Sequence, residues 1–518
     1  MFGITNGFDI VIGNPPYIQL QKAFNEKQKY ADLYKNENYK TFERTGDIYA
    51  LFYEKGIDIL NKNGSLCYIT SNKWMRANYG KSLRKFFSGN NPLKIIDLGP
   101  GIFEAATVDT NILLVQNIRA LVANNVSHEF TNKKLKALTL TDKNKLNNLS
   151  DKDFTTLTDL SEQSWVILSP QEQIIKEQTE KVGTPLKDWD INIYRGVLTG
   201  FNEAFIINGK TKDELIAKDP KSAEIIKPIL RGRDIKRYKA EFVDLWLIFI
   251  TWHFPLHKDP SISGASQKAE KAFREQYPAI YNHLLQYKEK LSKRNKAETG
   301  IRYEWYALQR CAATYYTEFE KEKIVFQEMV QYSSFIYDTQ NNFSLDTGRI
   351  LTGERIKFLT ALLNSSLFFY SIKNFYGGGS LGTKGVRMKH TFFERFPAIR
   401  TKKTYFIETL VDYILYLKDP TNGNLTERAD NEHIALFFED VIDGCVFELY
   451  FEDHMKERNI NILDMVTEQL KLIDGKDKKK DGKIILSAWL KMRKSEIAER
   501  MRLFTVKSPD ILKIIIQS

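Results

Sequence analysis

The chain is poor in cysteine and has no long apolar run, and each absence excludes a class of protein. Its three cysteines, Cys67, Cys311 and Cys445, lie far apart in the sequence. They provide neither a disulfide framework nor a zinc site, so we expect no metal centre and a reducing, cytoplasmic setting. The first residues lack the basic stretch and apolar core of a signal peptide. No apolar run is long enough to span a bilayer, so we expect no membrane role.

An excess of positive charge is what the sequence does contain. Among 518 residues, 76 lysines and arginines outnumber 65 aspartates and glutamates, which gives a formal net charge of +11. This charge favours a polyanionic partner, with nucleic acid ahead of an anionic membrane, although a basic surface can also serve solubility alone. With 42% hydrophobic residues the chain is globular, and its length predicts two or three domains.

Residues 1–120 alternate between strand and helix patterns. A turn is predicted at 61–64. The predicted strands cover 8–12, 66–70, 95–98 and 110–115, and the predicted helices cover 48–60 and 78–87. This alternation predicts the α/β class, with part of a Rossmann-like, doubly wound sheet.

The rest of the chain divides into three further regions. Residues 121–158 are rich in Asn, Lys, Asp and Thr and predict a connector. Residues 159–400 mix short strands and helices, which indicates an α+β domain. Residues 401–518 predict a helical C-terminal region, with helices near 434–450 and 486–502 and a charged loop at 474–482.

The first predicted strand ends in the tetrapeptide Asn14-Pro15-Pro16-Tyr17. It resembles the catalytic motif of amino-methyltransferases that use S-adenosylmethionine. The amine of adenine is a poor nucleophile, and the Asn14 side-chain oxygen and the Pro15 carbonyl could accept its two hydrogens. Tandem prolines, Pro15 and Pro16, keep that carbonyl aimed, and Tyr17 offers a ring face to a flipped base. The plain alternative is a strand-to-turn link.

The segments after the tetrapeptide continue the resemblance to adenine-N6 DNA methyltransferases. These segments are 46–52, 63–71, and Phe103 with Val108 and Thr110 behind it. In that family the phenylalanine at this motif helps to hold the extruded base, so Phe103 is a second candidate for base binding. Core packing beside the strand at 110–115 is an equally good explanation.

The segment 95–101 looks like a strand and glycine turn that could bind S-adenosylmethionine. Its position ahead of Phe103 indicates a turn only, because a lone match of this kind is weak evidence. In the family the cofactor motifs precede the tetrapeptide when a recognition domain follows it, and only thirteen residues precede Asn14 here. We therefore expect a fragment, or one polypeptide of a split enzyme. Its partner would be a separate or removed part that binds S-adenosylmethionine and carries a nuclease.

Residues 163–400 resemble the TaqI-like target-recognition domain of type IIG restriction-modification enzymes. The resemblance rests chiefly on the segments 193–206, 225–238 and 376–387, together with 322–325 and 362–365. It implies double-stranded DNA as the partner. The residues predicted to contact DNA are cationic or polar: Arg195, Thr199, Arg231, Arg233, Lys236, Arg237, Lys384, Arg387 and Lys389.

Two structural explanations remain open within this region. The cations at 231–237 could form a solvated charged face, and the glycine-rich loop at 377–385 could be a surface turn. The aromatic group Tyr303, Trp305 and Tyr306 could stack on bases, although such side chains usually belong to a core.

Together these features predict an S-adenosylmethionine-dependent adenine-N6 DNA methyltransferase of a type II restriction-modification system, which acts by base flipping and is inactive without its cofactor-binding half. One alternative is a DNA specificity subunit without catalysis. Another is a methyltransferase for a protein glutamine, against which the large basic region at 163–400 argues. The pair Asp219 and Glu224 is poorly spaced for a nuclease site, so we expect no cleavage by this chain.

Overall fold

The structure is a computed structural model of the chain. It describes residues 6–26, 28–99, 101–103, 108–118, 134–140, 143–157, 160, 162, 164–376, 380–381, 385–388, 390–401 and 404–517, without the side chains of 143, 380, 381 and 387. These residues form two compact units, the first ending at Glu177 and the second beginning at Gln178. No helix of the described residues is both long enough and apolar enough to cross a membrane.

The first unit contains six strands, three complete α-helices and the beginning of a fourth helix among its described residues. In chain order the complete elements are β1 (Phe8–Gly13), α1 (Tyr30–Tyr34), α2 (Tyr49–Asp58), β2 (Leu60–Ser71), α3 (Lys81–Ser88), β3 (Asn91–Gly99), β4 (Thr110–Gln116), β5 (Leu135–Thr139) and β6 (Thr155–Leu157). Helix α2 forms because Tyr49, Tyr53 and Ile57 recur four residues apart, and all three are buried.

The six strands form one sheet in the order β1-β2-β4-β3-β5-β6. Strand β1 is parallel to β2 and β3 is parallel to β5, whereas β4 runs antiparallel to β2 and to β3. Aromatic side chains, among them Tyr53, Trp74, Phe87 and Trp165, fill the core beside the sheet. The mixed α/β class predicted from the sequence is confirmed, and β1 lies at an edge of the sheet.

The turn predicted at 61–64 is part of strand β2. Phe8 pairs with Leu60 and Ile10 pairs with Ser65, so extra β2 residues lie between those two pairs. Asn63 has a φ of 68°, and a Cβ on Gly64 would come within 2.7 Å of the Phe8 carbonyl oxygen. Residues typical of a turn therefore form a bulge that lets the strand continue.

The segment predicted as a connector, 121–158, contains two strands of this sheet. Strand β5 lies beside β3, and Leu135 and Ala137 are fully buried, with the partly exposed Lys136 between them. The polar composition of the segment hides this two-residue alternation. The first unit consequently runs past residue 120 and ends at Glu177.

The second unit begins within helix α4 (Pro170–Val182) and combines small sheets with helices. Up to residue 401 its elements are β7 (Thr184–Pro185), β8 (Ile191–Arg195), α5 (Asn202–Phe205), β9 (Ile206–Asn208), α6 (Gly209–Lys218), β10 (Ile226–Leu230), β11 (Ile235–Lys236), β12 (Lys239–Ala240), β13 (Leu245–Ile248), α7 (Gln267–Gln276), α8 (Pro278–Leu285), α9 (Lys288–Lys293), β14 (Lys323–Gln327), β15 (Met329–Val330), β16 (Phe335–Asp338), β17 (Phe343–Ser344), β18 (Gly348–Gly353), α10 (Ile356–Asn364), α11 (Ser366–Ser371), β19 (Ser380–Leu381), β20 (Gly385–Arg387), α12 (His390–Phe393) and β21 (Pro397–Ala398).

Two four-stranded sheets organise this part, in the orders β17-β10-β13-β9 and β16-β14-β18-β8. One hydrophobic core contains residues of both sheets, such as Ile229 and Ile350. Tyr303, Trp305 and Tyr306 belong to the same core and are 0%, 7% and 0% exposed. These three rings therefore pack in the interior rather than stack on bases.

Residues 404–517 are helical, as the sequence predicts. The helices are α13 (Tyr405–Lys418), α14 (Asn431–Tyr450), α15 (Glu452–Glu457), α16 (Leu463–Gln469), α17 (Lys478–Met492), α18 (Glu496–Arg502), α19 (Phe504–Lys507) and α20 (Leu512–Ile516). The helix predicted at 486–502 is divided, because Ser495 caps the start of α18. Much of the loop predicted at 474–482 is the first turn of α17, which Asp477 caps.

Candidate active site and nucleic-acid interface

The tetrapeptide follows directly on the carboxyl end of the edge strand β1. The last paired residue of the strand, Gly13, lies opposite Tyr68 of β2, and a Cβ on Gly13 would be 3.3 Å from the Tyr68 ring. Beyond it Asn14 is exposed and Pro15 is buried. This arrangement presents the Asn14 amide to solvent at the end of a strand whose position β2 fixes.

Tyr17 and Phe103 come together in the structure. Their ring centroids are 6.3 Å apart with an interplanar angle of 62°. A second edge-to-face contact, also at 6.3 Å, joins Tyr17 to the buried Tyr49, and the Tyr17 hydroxyl donates to the Ile69 carbonyl at 3.3 Å. Both predicted base-binding rings are half-buried, and they form one aromatic pair that includes the last residue of the tetrapeptide.

Asp47 is a charged neighbour of this pair that the sequence did not single out. Burial, with the Asp47 carboxylate nearby, raises the pKa of the Tyr17 hydroxyl. Burial also raises the pKa of Asp47 itself, against hydrogen bonds from the backbone at Ile18, Tyr49 and Ile48. A backbone hydrogen bond from Ile48 N to Ile18 O, 2.9 Å long, joins the same two segments. Asp47 therefore ties the segment after the tetrapeptide to the start of α2.

At the end of β3, the Asp97 carboxylate has a structural role. Its Oδ1 accepts from Asn72 Nδ2 at 2.9 Å and from Gly99 N at 3.1 Å. Gly99 has a φ of 63°, and a Cβ there would meet no atom of the described residues within 4 Å. The positive φ accounts for the glycine, and the two hydrogen bonds hold the strand end in place.

The four cations at 231–237 have different surroundings. Arg231 makes a two-pronged interaction with Asp234, from Nε at 2.9 Å and Nη2 at 2.8 Å. Burial opposes the effect, but the Arg231 hydrogen bonds hold the pKa of the Asp234 carboxyl below its usual range. Arg237 Nε lies 2.6 Å from Glu439 of α14, whose side chain is 4% exposed. Lys236 lies 3.7 Å from Glu241.

Arg233 differs from these three because its side chain is exposed. Within the described part of the chain, no carboxylate lies within ion-pair distance of its guanidinium. Of the predicted cluster, Arg233 is thus the side chain most available to an external anion. Arg237, in contrast, joins the recognition region to the helical region inside the second unit.

The two candidates near β8 also separate into one exposed and one buried residue. Arg195 is exposed and pairs with Arg349 of β18 across the sheet. Thr199 is 1% exposed and its hydroxyl donates to Asn202 Oδ1 at 2.6 Å. The structure therefore places Thr199 inside the fold, where it fixes the loop before α5 rather than facing DNA.

Arg310 is a residue that the sequence prediction missed. It is 45% exposed and lies 2.6 Å from Asp346. The electrostatic surroundings of Tyr315 include Arg310, Arg195 and Arg349 together. These arginines are too far apart in sequence for a local pattern to reveal the group. Three arginines from separate segments therefore lie near Tyr315 together with Asp346, and Arg349 is paired with Glu328.

The predicted DNA contacts in and just after the glycine-rich loop lie largely outside the residues that the structure describes. Lys384 and Lys389 lie outside the described residues, and for Arg387 only the backbone is described, where β20 pairs it with Met329.

Two family models match the chain. Residues 1–103 match the Eco57I restriction-modification methylase, and residues 227–390 match the TaqI-like C-terminal specificity domain. The first region contains the tetrapeptide and Phe103, and the second contains Arg231 and Arg310. Over these two regions the chain is similar to type II restriction-modification methyltransferases that carry a specificity domain, which confirms the resemblance seen in the sequence.

Curated relatives give the same result over shorter stretches. The type II restriction enzyme and methyltransferase RM.Eco57I of Escherichia coli is 38% identical over 117 residues, which are 22% of this chain and 12% of that protein. The type II methyltransferase M.BstVI of Geobacillus stearothermophilus is 34% identical over 93 residues, 18% and 16% of the two chains. The chain thus spans less than a fifth of the length of either relative.

A solved structure matches more of the chain at lower similarity. The type IIL restriction-modification enzyme MmeI, in complex with DNA, aligns over 94% of this chain and 57% of its own, with 12% identity and a TM-score of 0.48. That score is too low for the match to support any argument about this chain.

Proposed function

We propose that the protein is the catalytic and target-recognising part of an adenine-N6 DNA methyltransferase of a type II restriction-modification system. The observation that carries the proposal is the Tyr17–Phe103 pair, 6.3 Å between centroids, in which Tyr17 belongs to the same tetrapeptide as the exposed Asn14. An enzyme that modifies a base inside a duplex must extrude it and hold it against aromatic rings. Tyr17 and Phe103, from distant segments of the chain, provide two such rings, and Asn14 provides a polar group in the same tetrapeptide as Tyr17.

The chemistry assigned to Asn14 and Pro15 follows from the nature of the amine. The lone pair of the adenine N6 is delocalised into the ring, so the nitrogen is a poor nucleophile. The Asn14 side-chain oxygen and the Pro15 carbonyl accept its two hydrogens and draw the nitrogen towards a tetrahedral geometry. Fixed acceptors of this kind act through position and electrostatics, and the parallel pairing of β1 with β2 fixes them.

S-adenosylmethionine is the proposed methyl donor, and we assign its binding to residues outside the segment 95–101. Within that segment, Asp97 Oδ1 accepts hydrogen bonds from Asn72 and Gly99 and so stabilises the end of β3. Alone, the chain is expected to transfer no methyl group.

The edge strand β1 supports the proposal that a further part of the enzyme supplies the cofactor-binding residues. In the described part of the chain, strand β1 pairs with β2 on one side only, and its Ile10 and Ile12 are 69% and 78% exposed. Parallel strands are normally covered on both faces, and an exposed apolar strand edge is a liability. A cofactor-binding part, on the same or another polypeptide, would cover these side chains.

Double-stranded DNA is the proposed partner of the second unit. Arg233 and Arg195 are exposed, and Arg310 is 45% exposed. Arginine side chains grip phosphates and read guanine edges in the major groove. In Arg310 the 2.6 Å contact with Asp346 also orients the guanidinium, which suits a reading role better than a purely electrostatic one.

A base-flipping assay tests the proposal without the cofactor. Duplexes bound by the full chain are selected from a random library, and each adenine of the selected site is replaced in turn by fluorescent 2-aminopurine. We expect fluorescence to rise at one position, to persist with Tyr17→Phe, and to fall several-fold with Tyr17→Ala or Phe103→Ala. Stacking on one ring contributes about 1 to 3 kcal/mol.

Phe24→Ala is the matched control, because this ring is exposed and lies outside the pair. Equal losses in the control and in Tyr17→Ala would contradict a specific base holder. Methyl transfer is then measured with the cofactor-binding part added, and nucleoside mass spectrometry identifies the product. Activity that persists in Asn14→Ala, or a product other than N6-methyladenine, would refute the chemistry.

A DNA specificity polypeptide without catalysis is the second candidate. The exposed cations Arg195 and Arg233 favour it, because DNA binding by them requires no chemistry at Asn14. Under that function the duplex is bound but no 2-aminopurine position responds. Methylation of a protein glutamine is the third, and it predicts no salt-dependent DNA binding at all.

A further inference from the structure

Lysines dominate one cleft in the helical region of the second unit. The cleft has a volume of about 710 Å³ and follows helix α17, with the end of α16 and the linker after it forming the other wall. Five of the lining side chains carry a positive charge, against a single carboxylate, Asp477. These five are Lys471, Lys479, Lys480, Lys483 and Lys491, which we call the lysine cleft.

The carboxylate in the cleft does not neutralise these charges. Asp477 caps α17 and accepts from the backbone nitrogens of Lys479 and Lys480, both at 3.0 Å. The neighbouring Lys478 does find an acid, Asp419, at 3.4 Å. In contrast, none of the five lysines has an ion-pair partner among the residues that the structure describes, and all five are exposed.

Such a concentration of one charge is unfavourable for the isolated protein. Like charges three or four residues apart on a helix destabilise it, and Lys479, Lys480 and Lys483 have that spacing. At 1.5 Å per residue, the stretch from Lys479 to Lys491 extends roughly 18 Å. A DNA duplex carries one negative charge per roughly 1.7 Å of its axis, so a duplex can match this row.

We propose that the lysine cleft binds the phosphate backbone of duplex DNA, outside the bases that the recognition region reads. This inference rests on the proposed function, in which the second unit binds DNA. The cleft has no arginine, whose planar guanidinium suits base-edge readout, and the compact ammonium groups of lysine contact phosphates without regard to sequence. The cleft therefore contributes affinity rather than specificity.

The test measures how salt weakens binding of the full chain to a 40-base-pair duplex of random sequence, by fluorescence anisotropy. The test variant replaces Lys479, Lys480, Lys483 and Lys491 by Gln. Each lysine–phosphate contact contributes about 0.9 to the slope of log K against log salt. We therefore expect the slope to flatten by about 3 to 4 and the affinity at low salt to fall at least about tenfold.

Two controls separate the cleft from charge in general. Replacement of the same four lysines by Arg keeps the charge and should keep the slope. The second control makes four exposed, dispersed changes to Gln at Lys218, Lys258, Lys271 and Lys513. We expect this variant to change the slope by less than about 1.

An unchanged slope in the cleft variant, with the wild type binding normally, would overturn the lysine cleft and leave the proposed function intact. Equal flattening in the dispersed control would also overturn it, because net charge alone would then explain the effect. If the wild type failed to bind DNA, the proposed function would fail together with this inference.

Discussion

At the scale of single residues, the proposed base binding depends on Tyr17 and Phe103, two half-buried rings from distant parts of the sequence. Asn14, Tyr17 and Phe103 were recognisable from their motifs, and the structure brings the two rings into contact. Asp47 was not singled out, because its role depends on a backbone link to Ile18 across the loop. A motif preserves local order in the chain, whereas such a contact depends on how the loop closes.

Arg237 shows the same limit for the predicted DNA contacts. Its guanidinium lies 2.6 Å from Glu439, and Glu439 is also 2.8 Å from the buried Lys418. No pattern within 231–237 indicates a partner in α14. A residue in this position holds two parts of the fold together, and its positive charge is already balanced inside the protein.

Replacing Arg237 by Ala should therefore destabilise the protein. The change leaves the Glu439 carboxylate, 4% exposed, with Lys418 as its remaining cation. We expect a loss of about 2 to 4 kcal/mol in the free energy of unfolding of the second unit, measured by urea denaturation. Arg233→Ala, at an exposed site, should change stability by less than about 0.5 kcal/mol while it weakens DNA binding. If Arg237→Ala left the stability unchanged and weakened DNA binding, Arg237 would be a DNA contact after all.

At the scale of elements, long periodic segments were predictable and short or interrupted ones were not. Strand β4 and helix α2 agree with the sequence prediction to within a few residues, because their apolar spacing is regular. Strands β5 and β6 lie in a polar segment and are short, with five residues in β5 and three in β6. Their position is decided by pairing with β3 and with each other, which local propensity does not contain.

Helix α14 carries two neighbouring acids, Asp440 and Asp443, that make stability depend on pH. Burial, and then the neighbouring Asp443, raise the pKa of Asp440 to about 6, against the opposing effect of Arg237. Burial raises the pKa of Asp443 as well. A carboxyl with a raised folded pKa favours the folded state while it is protonated, and this contribution is lost as the pH rises through the folded value.

Asp440→Asn should therefore flatten the pH profile of stability. Between pH 5 and pH 7.5 the wild type should lose stability relative to this variant, as measured by urea unfolding of the second unit at both values. Asp453→Asn, an exposed change on α15, is the matched control and should follow the wild type. Parallel profiles for the wild type and Asp440→Asn would show that Asp440 titrates as it does in the unfolded chain.

At the scale of the whole molecule, the excess positive charge can be related to the two compact units. The net charge of +11 predicted a polyanionic partner. The exposed cations that we assign to DNA, Arg195, Arg233 and the lysine cleft, lie in the second unit. The division was harder to predict, since the boundary at 177–178 falls inside α4 rather than in a flexible linker.

The position of that boundary determines how the units can be separated. A cut within α4 would break the helix. A cut before Trp165 would leave that residue on the wrong fragment, because Trp165 belongs to the core of the first unit and its ring centroid lies 5.3 Å from that of Trp74. A fragment from Leu168 onward keeps α4 whole and removes no residue of the core of the second unit. We expect it to fold cooperatively and to bind random-sequence duplex DNA with a salt slope within about 1 of the full chain. Because each lost phosphate contact lowers the slope by about 0.9, a fragment that folds but binds with a slope flatter by more than about 2 would assign part of the DNA grip to the first unit.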